Sequence, residues 1–353
     1  MNNCSIHHLV SVSILVLNYL PTSILYLQLI RIRHSMKVTE YFAQANGNTL
    51  ISFEILPPMK GGSIDSIFDI LDPLMEFRPP FVDVTYHRED FVYRKTPDGF
   101  FEKVAMTKRP GTVVISQAIQ NRYGVDTVPH LLCGGFTKEE TEDALIDMAY
   151  AKINNVLALR GDARKFEGKF IPEAGGHHYA IDLIKQIKDL NEGKYIDDDI
   201  IDGAKSNFCI GIAGYPEKHF EAPDMDSDIL YLKEKINAGG EYIVTQMFFD
   251  NQKYFDFVAL CRQHDIHVPI VPGLKPLTRK TQLKSLPAAF FIHLPDDLVK
   301  AVEKAKNNEA VKQIGIEWAI AQSKELKAAH VPSLHYYTMG DSETTRKIAE
   351  SVF

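Results

Sequence analysis

Short apolar runs rich in β-branched residues alternate with longer amphipathic stretches from residue 36 onward. Their nearly uninterrupted apolar character is typical of parallel strands buried on both faces, and the stretches between them have the period of helices. Eight such units predict an α/β fold, a (β/α)8 or TIM barrel, as a single catalytic domain over residues 36–353. The predicted strands are residues 49–55, 81–86, 128–132, 156–159, 208–213, 242–247, 268–271 and 333–337.

Two segments between the strands allow more than one interpretation. Residues 111–119 favour a strand by their β-branched content, but a ninth strand would not fit the barrel. We therefore predict a helix over residues 112–123. The acidic stretch at residues 191–206 predicts a solvated loop, although its three consecutive aspartates, at 197–199, also allow a cation site.

The first 35 residues follow a different pattern. Residues 9–30 form a nearly uncharged apolar run that is long enough to span a bilayer, and cationic residues follow it but do not precede it. A secretory signal carries its charge first, so the run predicts either a signal anchor or sequence upstream of a start at Met36. We favour the second interpretation and expect residues 1–35 to lie outside the folded domain, without membrane attachment.

Composition and charge restrict the class of protein. The chain is 45% hydrophobic and 24% charged with a net charge of −7, which is ordinary globular composition and unfavourable for nucleic-acid binding. Four cysteines without a CxxC pair indicate reduced thiols and a cytoplasmic location. His130 and Cys133 have a metal-ligand spacing, but no second cluster completes four ligands, so we predict no metal site.

Polar residues recur at the predicted strand ends, where barrels carry their chemistry. Glu54 ends the first strand among apolar sequence neighbours, before two prolines that cannot continue a central strand. Burial disfavours the ionised form of a carboxyl group, so Glu54 is a candidate general acid. Glu54 in an ion pair or His130 as a core histidine would explain each residue singly. The set predicts an active site, and its other members are Thr85, Arg160, Asp162, Tyr215, His219, Gln246 and Phe248.

Common nucleotide-binding motifs are missing from the sequence. Neither a GxGxxG motif after the first strand nor a GxxxxGK[ST] motif occurs, so no Rossmann site or P-loop is predicted. Loops, helix N-termini and side chains would have to hold the phosphate of any cofactor. The residues by themselves predict a barrel enzyme with a buried acid and name no substrate.

Eight motifs identify a family when they are read in order. They are SFEILPP from residue 52, VTYH from 84, PHLLC from 129, LALRGD from 157, AGYPEKH from 213, VTQMFFD from 244, PGLKP from 272 and HYYTMG from 335. Over residues 39–353 the chain thereby resembles methylenetetrahydrofolate reductases of the bacterial type, which consist of the catalytic barrel only. The resemblance implies FAD bound without a Rossmann fold and a homo-oligomer. It also implies reduction of 5,10-methylenetetrahydrofolate to 5-methyltetrahydrofolate by NADH or NADPH, a ping-pong reaction of one-carbon metabolism that serves methionine biosynthesis.

The resemblance also implies roles for particular residues. Glu54 matches the acid that protonates the folate N10, and Asp162 matches a catalytic aspartate beside the flavin. Flavin contacts fall on Thr85, His130, Leu159, Arg160, Gly161, Asp162, Tyr179, Ala180, Tyr215, His219, Asp228 and Lys235. Substrate contacts fall on Glu54, Gln246, Phe248 and Gln282. The chain departs from the family pattern at Tyr231 and Glu234, and at Asp341, where an arginine that meets the folate is common.

Two other functions are compatible with parts of the sequence. A pterin-binding methyltransferase barrel would use folate chemistry without a flavin. A membrane-anchored barrel without catalytic activity would account for the apolar run at residues 9–30. The ordered motifs favour the flavin-dependent reductase over both.

Overall fold

The computed structural model describes residues 35–353 apart from residues 87, 89, 107–108 and 164–166. The apolar run at residues 9–30 lies outside the described residues. Within them, no helix combines the length and the apolar character that crossing a membrane requires. Residues Met36–Phe353 form one compact unit.

The chain alternates strands and helices along this unit. The strands are β1 (Leu50–Ile55), β2 (Phe81–Val84), β3 (Asp90–Lys95), β4 (Phe101–Met106), β5 (Asp126–Leu132), β6 (Asn155–Leu159), β7 (Cys209–Gly214), β8 (Tyr242–Thr245), β9 (Ile270–Val271), β10 (Gly273–Leu274) and β11 (Ser333–Tyr337). The helices are α1 (Val38–Gln44), α2 (Asp65–Leu71), α3 (Thr112–Tyr123), α4 (Lys138–Tyr150), α5 (Ala180–Asn191), α6 (Met225–Asn237), α7 (Asn251–Gln263), α8 (Gln282–Phe290), α9 (Asp296–Lys304), α10 (Asn308–Ala328) and α11 (Ser342–Val352). A 3₁₀ helix spans Asp72–Phe77.

The parallel strands close into a barrel, which confirms the predicted fold class. They are paired in the order β10-β11-β1-β2-β5-β6-β7-β8-β9. Strands β9 and β10 form one barrel strand that Pro272 interrupts. The first and last strands of this order are therefore the two halves of the same strand, and the barrel has eight strands. Proline has no N–H to donate at this seam, and the next residue, Gly273, donates its N–H to Thr245 Oγ1 at 3.0 Å.

The two ambiguous segments and the chain between β2 and β5 can now be described. The ambiguous segment forms helix α3, as predicted. The structure adds an antiparallel hairpin of β3 and β4, which the sequence analysis did not predict. Its turn is closed by Thr96, whose N–H donates to the Phe100 carbonyl at 2.8 Å. The acidic stretch after α5 has turns and no helix or strand, as predicted for a loop.

Side chains on the two faces of the barrel strands serve different purposes. Outward residues such as Phe53 and Leu131 pack with the helices in the main core. Inward residues such as Phe81 and Tyr242 fill the end of the barrel at which the strands begin. Helix α1 packs there, with Val38 N donating to Asn155 Oδ1 at 2.8 Å. Because this end is filled, a ligand has room only at the opposite end, where the strands finish.

Local sequence also fixes the starts of the outer helices. Thr137 precedes α4, and its hydroxyl accepts a hydrogen bond from Glu140 N at 3.1 Å. The Glu140 carboxylate accepts in return from Thr137 N at 2.8 Å. This reciprocal capping box satisfies two N–H groups that the helix itself leaves unpaired.

Candidate active site

A cavity of about 2100 Å³ opens at the C-terminal end of the barrel strands. It is larger than the roughly 300–1,000 Å³ of pockets for one drug-sized ligand, so it has room for two ligands together. Its lining includes fifteen of the sixteen site residues from the sequence analysis: Glu54, Thr85, His130, Leu159, Arg160, Gly161, Asp162, Tyr179, Ala180, Tyr215, His219, Asp228, Lys235, Gln246 and Gln282.

Phe248 is the predicted site residue that does not line this cavity. Its side chain is 1% exposed and belongs to the main core. Its ring stacks on Tyr254 with 5.5 Å between the centroids. The preceding residues, Gln246 and Met247, line the cavity instead. The predicted ligand contact of Phe248 is therefore corrected to a packing role.

Glu54 does not have the apolar surroundings that its sequence neighbours suggested. Strand register places it beside Asp83 on β2 and Tyr337 on β11. Its side chain is 11% exposed, and Oε2 lies 3.5 Å from His130 Nε2 and 3.8 Å from His335 Nε2. Asp83 Oδ2 lies 3.6 Å from the same His130 nitrogen. We call Glu54, Asp83, His130 and His335 the carboxylate–histidine cluster.

Sequence reasoning missed Asp83 and His335, although both are inside the barrel. Asp83 is 1% exposed, and His335 is completely buried. Ser52 Oγ contacts His335 Nδ1 at 2.9 Å and fixes the imidazole ring. Burial alone would lower the pKa of His335, but the charges of Asp83 and Glu54 outweigh it and raise that pKa above its usual value. Period-two spacing from Tyr337, which is paired with Glu54, was the available signal for His335.

Tyr337 supports the cluster from the seam of the barrel. Its hydroxyl donates to the Thr245 carbonyl at 2.6 Å. Burial, followed by the charges of Glu54 and Asp83, raises the pKa of Tyr337 far above its usual value, so the hydroxyl stays a neutral donor. A Cβ atom on Gly273 would lie 2.3 Å from this hydroxyl. Glycine at this position therefore allows the tyrosine to reach across the seam.

The turn after β6 brings charged residues to the cavity. Gly161 has a φ of +86°, which side-chain-bearing residues rarely adopt. Arg160 on one side of it forms an ion pair with Glu221, and the hydrogen bond from Arg160 lowers the pKa of that carboxyl group. Asp162 on the other side lines the cavity. The glycine thus lets the chain present both charges at the strand end.

A partly buried lysine lies on the same side of the cavity. Lys235 Nζ donates to the carbonyl of Ala213 at the end of β7, at 3.1 Å. Burial lowers the pKa of Lys235 to about 8. Asp228, which lies on the same helix α6, accepts a hydrogen bond from the backbone N–H of His219 at 2.8 Å. Burial, reinforced by the charge of Arg160, lowers the pKa of His219. These groups place a cation, a carboxylate and a histidine together along this side of the cavity.

Comparison with known proteins identifies the family. The family model described as methylenetetrahydrofolate reductase matches residues 39–352. The chain belongs to the methylenetetrahydrofolate reductase family. The described strand ends and the cavity therefore belong to a member of this family, of the bacterial type that the motifs indicated.

Relatives from plants and bacteria differ in how much of their length is matched. A probable methylenetetrahydrofolate reductase (NADH) of Oryza sativa subsp. japonica is 34% identical over 86% of this chain and 48% of its own length. The chain spans about half the length of the plant relatives it matches. The 5,10-methylenetetrahydrofolate reductases of Pectobacterium carotovorum and Escherichia coli are each 28% identical over 89% of this chain and 94% of their own length.

A solved structure supports the fold independently. An uncharacterized protein from Clostridium thermocellum, described as binding two copies of 5-methyl-5,6,7,8-tetrahydrofolic acid, superposes with a TM-score of 0.51. It covers 88% of this chain and 98% of its own at 15% identity. At that identity the likeness is evidence for the barrel only.

The departure from the reductase family pattern at Asp341 has a structural explanation. Asp341 caps α11, with Oδ1 accepting from Thr344 N at 3.0 Å. Its other oxygen lies 3.4 Å from Lys312 Nζ. Burial raises the pKa of Asp341, but the bonds from Thr344 and the charge of Lys312 outweigh it and lower that pKa overall. Asp341 is thus occupied as a helix cap. The basic residues Lys275, Arg279 and Lys312 line the cavity. The residues at the other two departures from the family pattern, Tyr231 and Glu234, line it as well.

Gln282 and the candidate metal ligands also have defined places. Gln282 Oε1 accepts from Thr278 N at 2.7 Å and from Arg279 N at 2.8 Å, so its NH₂ group is the part that can contact a ligand.

The two candidate metal ligands lie in different surroundings: His130 faces the cavity, whereas Cys133 is buried in the main core. In the portion of the chain that the structure describes, no three His, Cys, Asp or Glu residues are arranged to hold a metal ion.

Proposed function

We propose that this protein reduces 5,10-methylenetetrahydrofolate to 5-methyltetrahydrofolate, with electrons from NADH or NADPH passing through FAD in a ping-pong cycle. Membership of the reductase family supports the reaction. The observation that carries the proposal is the position of Glu54, a cavity-lining carboxyl group whose Oε2 lies within 4 Å of two histidines. A group so placed can exchange protons with a ligand and with its neighbours.

Glu54 acts as the general acid in this proposal. The closed methylene bridge of the folate is a poor hydride acceptor. Protonation of its N10 nitrogen opens the ring to an iminium on N5, which is a good acceptor. Glu54 in its protonated form supplies that proton to N10 and becomes a carboxylate. His130 and His335 then lie next to the new negative charge, which they stabilise.

The residues on the other side of the cavity fit FAD. The partly buried Lys235 offers a cation for a diphosphate, and the Arg160–Asp162 turn offers backbone and charged groups at the end of β6. Tyr215 and His219 stack edge to face at 4.7 Å and provide an aromatic surface. When bound, FAD would supply the hydride. Gln246 and Gln282 would orient the folate, and Asp162 would lie between the two ligands.

Several further properties are proposed from the sequence and the relatives. We take NADH as the electron donor, because plant relatives carry it in their names. We also propose a cytoplasmic homo-oligomer whose folded domain begins near Met36. Mapping the N-terminus of the native protein tests the last point.

The experiment is Glu54→Gln in protein expressed from Met36. Bound flavin in the purified protein is the first check, since a methyltransferase barrel needs none. NADH should still bleach the flavin absorbance of the variant. Reoxidation by methylenetetrahydrofolate should slow by at least about 100-fold, because a general acid typically contributes 10²–10⁴ in rate.

A matched control keeps the same substitution away from the cavity. Glu241 is a half-buried glutamate that pairs with Lys37 at 3.6 Å, and Glu241→Gln should leave both half-reactions unchanged. Normal folate turnover in Glu54→Gln would refute the general-acid assignment. Wild-type protein that binds flavin but never passes electrons to the folate would refute the reaction itself.

A further inference from the structure

Lys275 is a cation that lines the cavity and that the proposed function does not use. It follows β10 directly and is partly buried. Its amino group forms no hydrogen bond or ion pair with any residue that the structure describes. Burial lowers the pKa of Lys275, and the more distant charges of Glu54 and Asp341 oppose that only in part. An amino group in this position would gain from an anionic ligand in the cavity.

The register at the barrel seam directs Lys275 into the cavity at the level of Glu54. Leu274 is paired with Tyr336, so the next residue, Lys275, lies level with Tyr337. Tyr337 is in turn paired with Glu54. Leu274 packs outward in the main core, and side chains alternate along a strand, so Lys275 points inward. Two strand spacings, about 10 Å between backbones, therefore separate Lys275 from Glu54.

The carboxylates nearest to Lys275 are engaged with other groups. Asp341 Oδ2 accepts from Thr344 Oγ1 at 2.6 Å and lies 3.4 Å from Lys312 Nζ. Glu54 Oε2 lies within 4 Å of two histidines. Neither carboxylate forms an ion pair with Lys275 in the described structure, so the charge of this lysine is left for a ligand.

Arg279 adds a second available cation four residues later. It is exposed and lines the cavity, and its guanidinium group has no bonded partner among the described side chains and carbonyls. Lys312 lines the cavity too but is already paired. Glu309, an acidic residue of the lining, is exposed, so water and salt screen its charge. Lys275 and Arg279 thus remain for a ligand with more than one negative charge.

The proposed substrate carries two carboxylates at a matching distance. Folate ends in a glutamyl group, whose α-carboxylate lies about 9 Å from N10 by ordinary bond lengths. We propose that Lys275 binds this α-carboxylate and that Arg279 binds the next carboxylate of the glutamyl tail. The inference rests on the proposed function, because it takes Glu54 to be the group that meets N10. The two cations form an anion subsite that selects folates with a glutamyl tail over those without one.

The first test measures ligand binding to the FAD-loaded protein without turnover. 5-Methyltetrahydrofolate and 5-methyltetrahydropteroate, which lacks the glutamyl group, are titrated into each variant by calorimetry. Lys275→Met should lose about tenfold in affinity for the folate, the effect of one charge-assisted hydrogen bond, and nothing in affinity for the pteroate. Lys275→Arg should keep most of the folate affinity. Arg279→Met should lose only about threefold, because its charge is exposed and screened.

The second test separates the folate from the nicotinamide nucleotide, whose diphosphate is also anionic. In stopped-flow measurements, Lys275→Met should need about tenfold more methylenetetrahydrofolate for half-maximal reoxidation of the flavin, with a nearly unchanged maximal rate. Its reduction by NADH should have the wild-type concentration dependence. A variant that loses NADH affinity and keeps folate affinity would assign the cation to the nucleotide and overturn the proposal.

Controls separate a binding role from a structural one. Lys284 is exposed on α8 and is not among the described residues that line the cavity, so Lys284→Met should bind both ligands as the wild type does. Equal loss of folate and pteroate affinity in Lys275→Met would mean a structural role only and would refute the subsite. A wild type that reduces its substrate but binds folate and pteroate equally would refute the subsite and leave the reaction. A wild type that prefers the folate but never reduces it would refute the reaction and leave the subsite.

Discussion

The two sides of the barrel interior differ sharply in chemistry. Strands β11, β1, β2 and β5 present Ser52 and the carboxylate–histidine cluster, which we call the polar wall. Strands β6 to β8 present Leu157, Leu159, Ala213 and Val244, all lining the cavity, which we call the apolar wall. Among the described residues that line the cavity on that side, charged groups lie only beyond the strand ends.

In the proposed function, this difference separates proton transfer on one side from binding of the flavin ring on the other. Buried charges on the polar wall interact strongly because little water screens them. The four side chains of the apolar wall contain no proton acceptor and offer a flat ring an apolar surface. The charged groups on that side, Lys235 and the Arg160–Asp162 turn, also line the cavity, and in the proposed function they would contact FAD. Substitutions on the two sides should therefore have separable effects.

The largest effect outside the cluster is expected for Lys235→Met. Loss of the cation that would face the FAD diphosphate should weaken FAD binding by about tenfold to 100-fold, because hydrogen bonds to charged groups are worth about 1.5–3 kcal/mol. Since the pKa of Lys235 is about 8, FAD affinity of the wild type should fall as pH rises above that value. Fluorescence titration with FAD measures both effects.

The same variant tests the division between the walls. Its His335 titration should match that of the wild type, because Lys235 is not among the groups that shift His335. Lys233 on the same helix is half exposed and pairs with Asp265 at 3.2 Å, so Lys233→Met serves as the control and should bind FAD normally. Equal loss of FAD in both variants would contradict the assignment of Lys235.

A smaller effect is expected for Asp162→Asn. The residue lies on the apolar side but beyond the strand end, where both ligands would meet. We expect FAD to be retained and the folate half-reaction to slow by about tenfold, since a charge beside the flavin tunes its electronics. Stopped-flow absorbance follows the reaction, with the exposed Asp189→Asn as control. Unchanged folate kinetics would remove Asp162 from the catalytic set.

The smallest effect is expected far from both walls. Thr137→Ala removes the cap of α4 and should lower the free energy of unfolding by about 1 kcal/mol. Both half-reactions of the folded protein should be unaffected, because the cap does not touch the cavity. Chemical denaturation measures the stability, and Thr137→Ser should restore most of it. A change in kinetics without a change in stability would contradict the separation of scaffold and site.

Much of the barrel was predictable because its signals are local. Buried parallel strands require continuous apolar runs, and all eight were located from such runs. Helix α3 was predicted against its β-branched content, because closure of the barrel outweighed local preference. The β3–β4 hairpin was missed, although Pro97, Asp98 and Gly99 between two strand-like runs are a turn signal. The hairpin forms a separate sheet outside the barrel, so the barrel's eight strands are complete without it.

The site was predictable only where polar residues sit at strand ends. Asp83 and His335 lie inside strands among apolar residues, and neither is close to Glu54 in the sequence. Their proximity depends on the register between β11, β1 and β2, which no local pattern encodes. Phe248 shows the opposite error, because its motif predicted a ligand contact for a residue that is buried in the core. The motif that contains Gln246 suggested that both residues face the ligand, but the chain directs the aromatic ring into the core.

The contact between Ser52 and His335 joins positions 283 residues apart in the sequence. While the protein is being synthesised, Glu54 leaves the ribosome long before its histidine partner exists. A partly made chain therefore contains the acid but neither the charge balance around it nor the closed seam at Pro272. Contacts of such long sequence separation form late and slowly. The surroundings of Glu54 are thus complete only when nearly the whole barrel has been made.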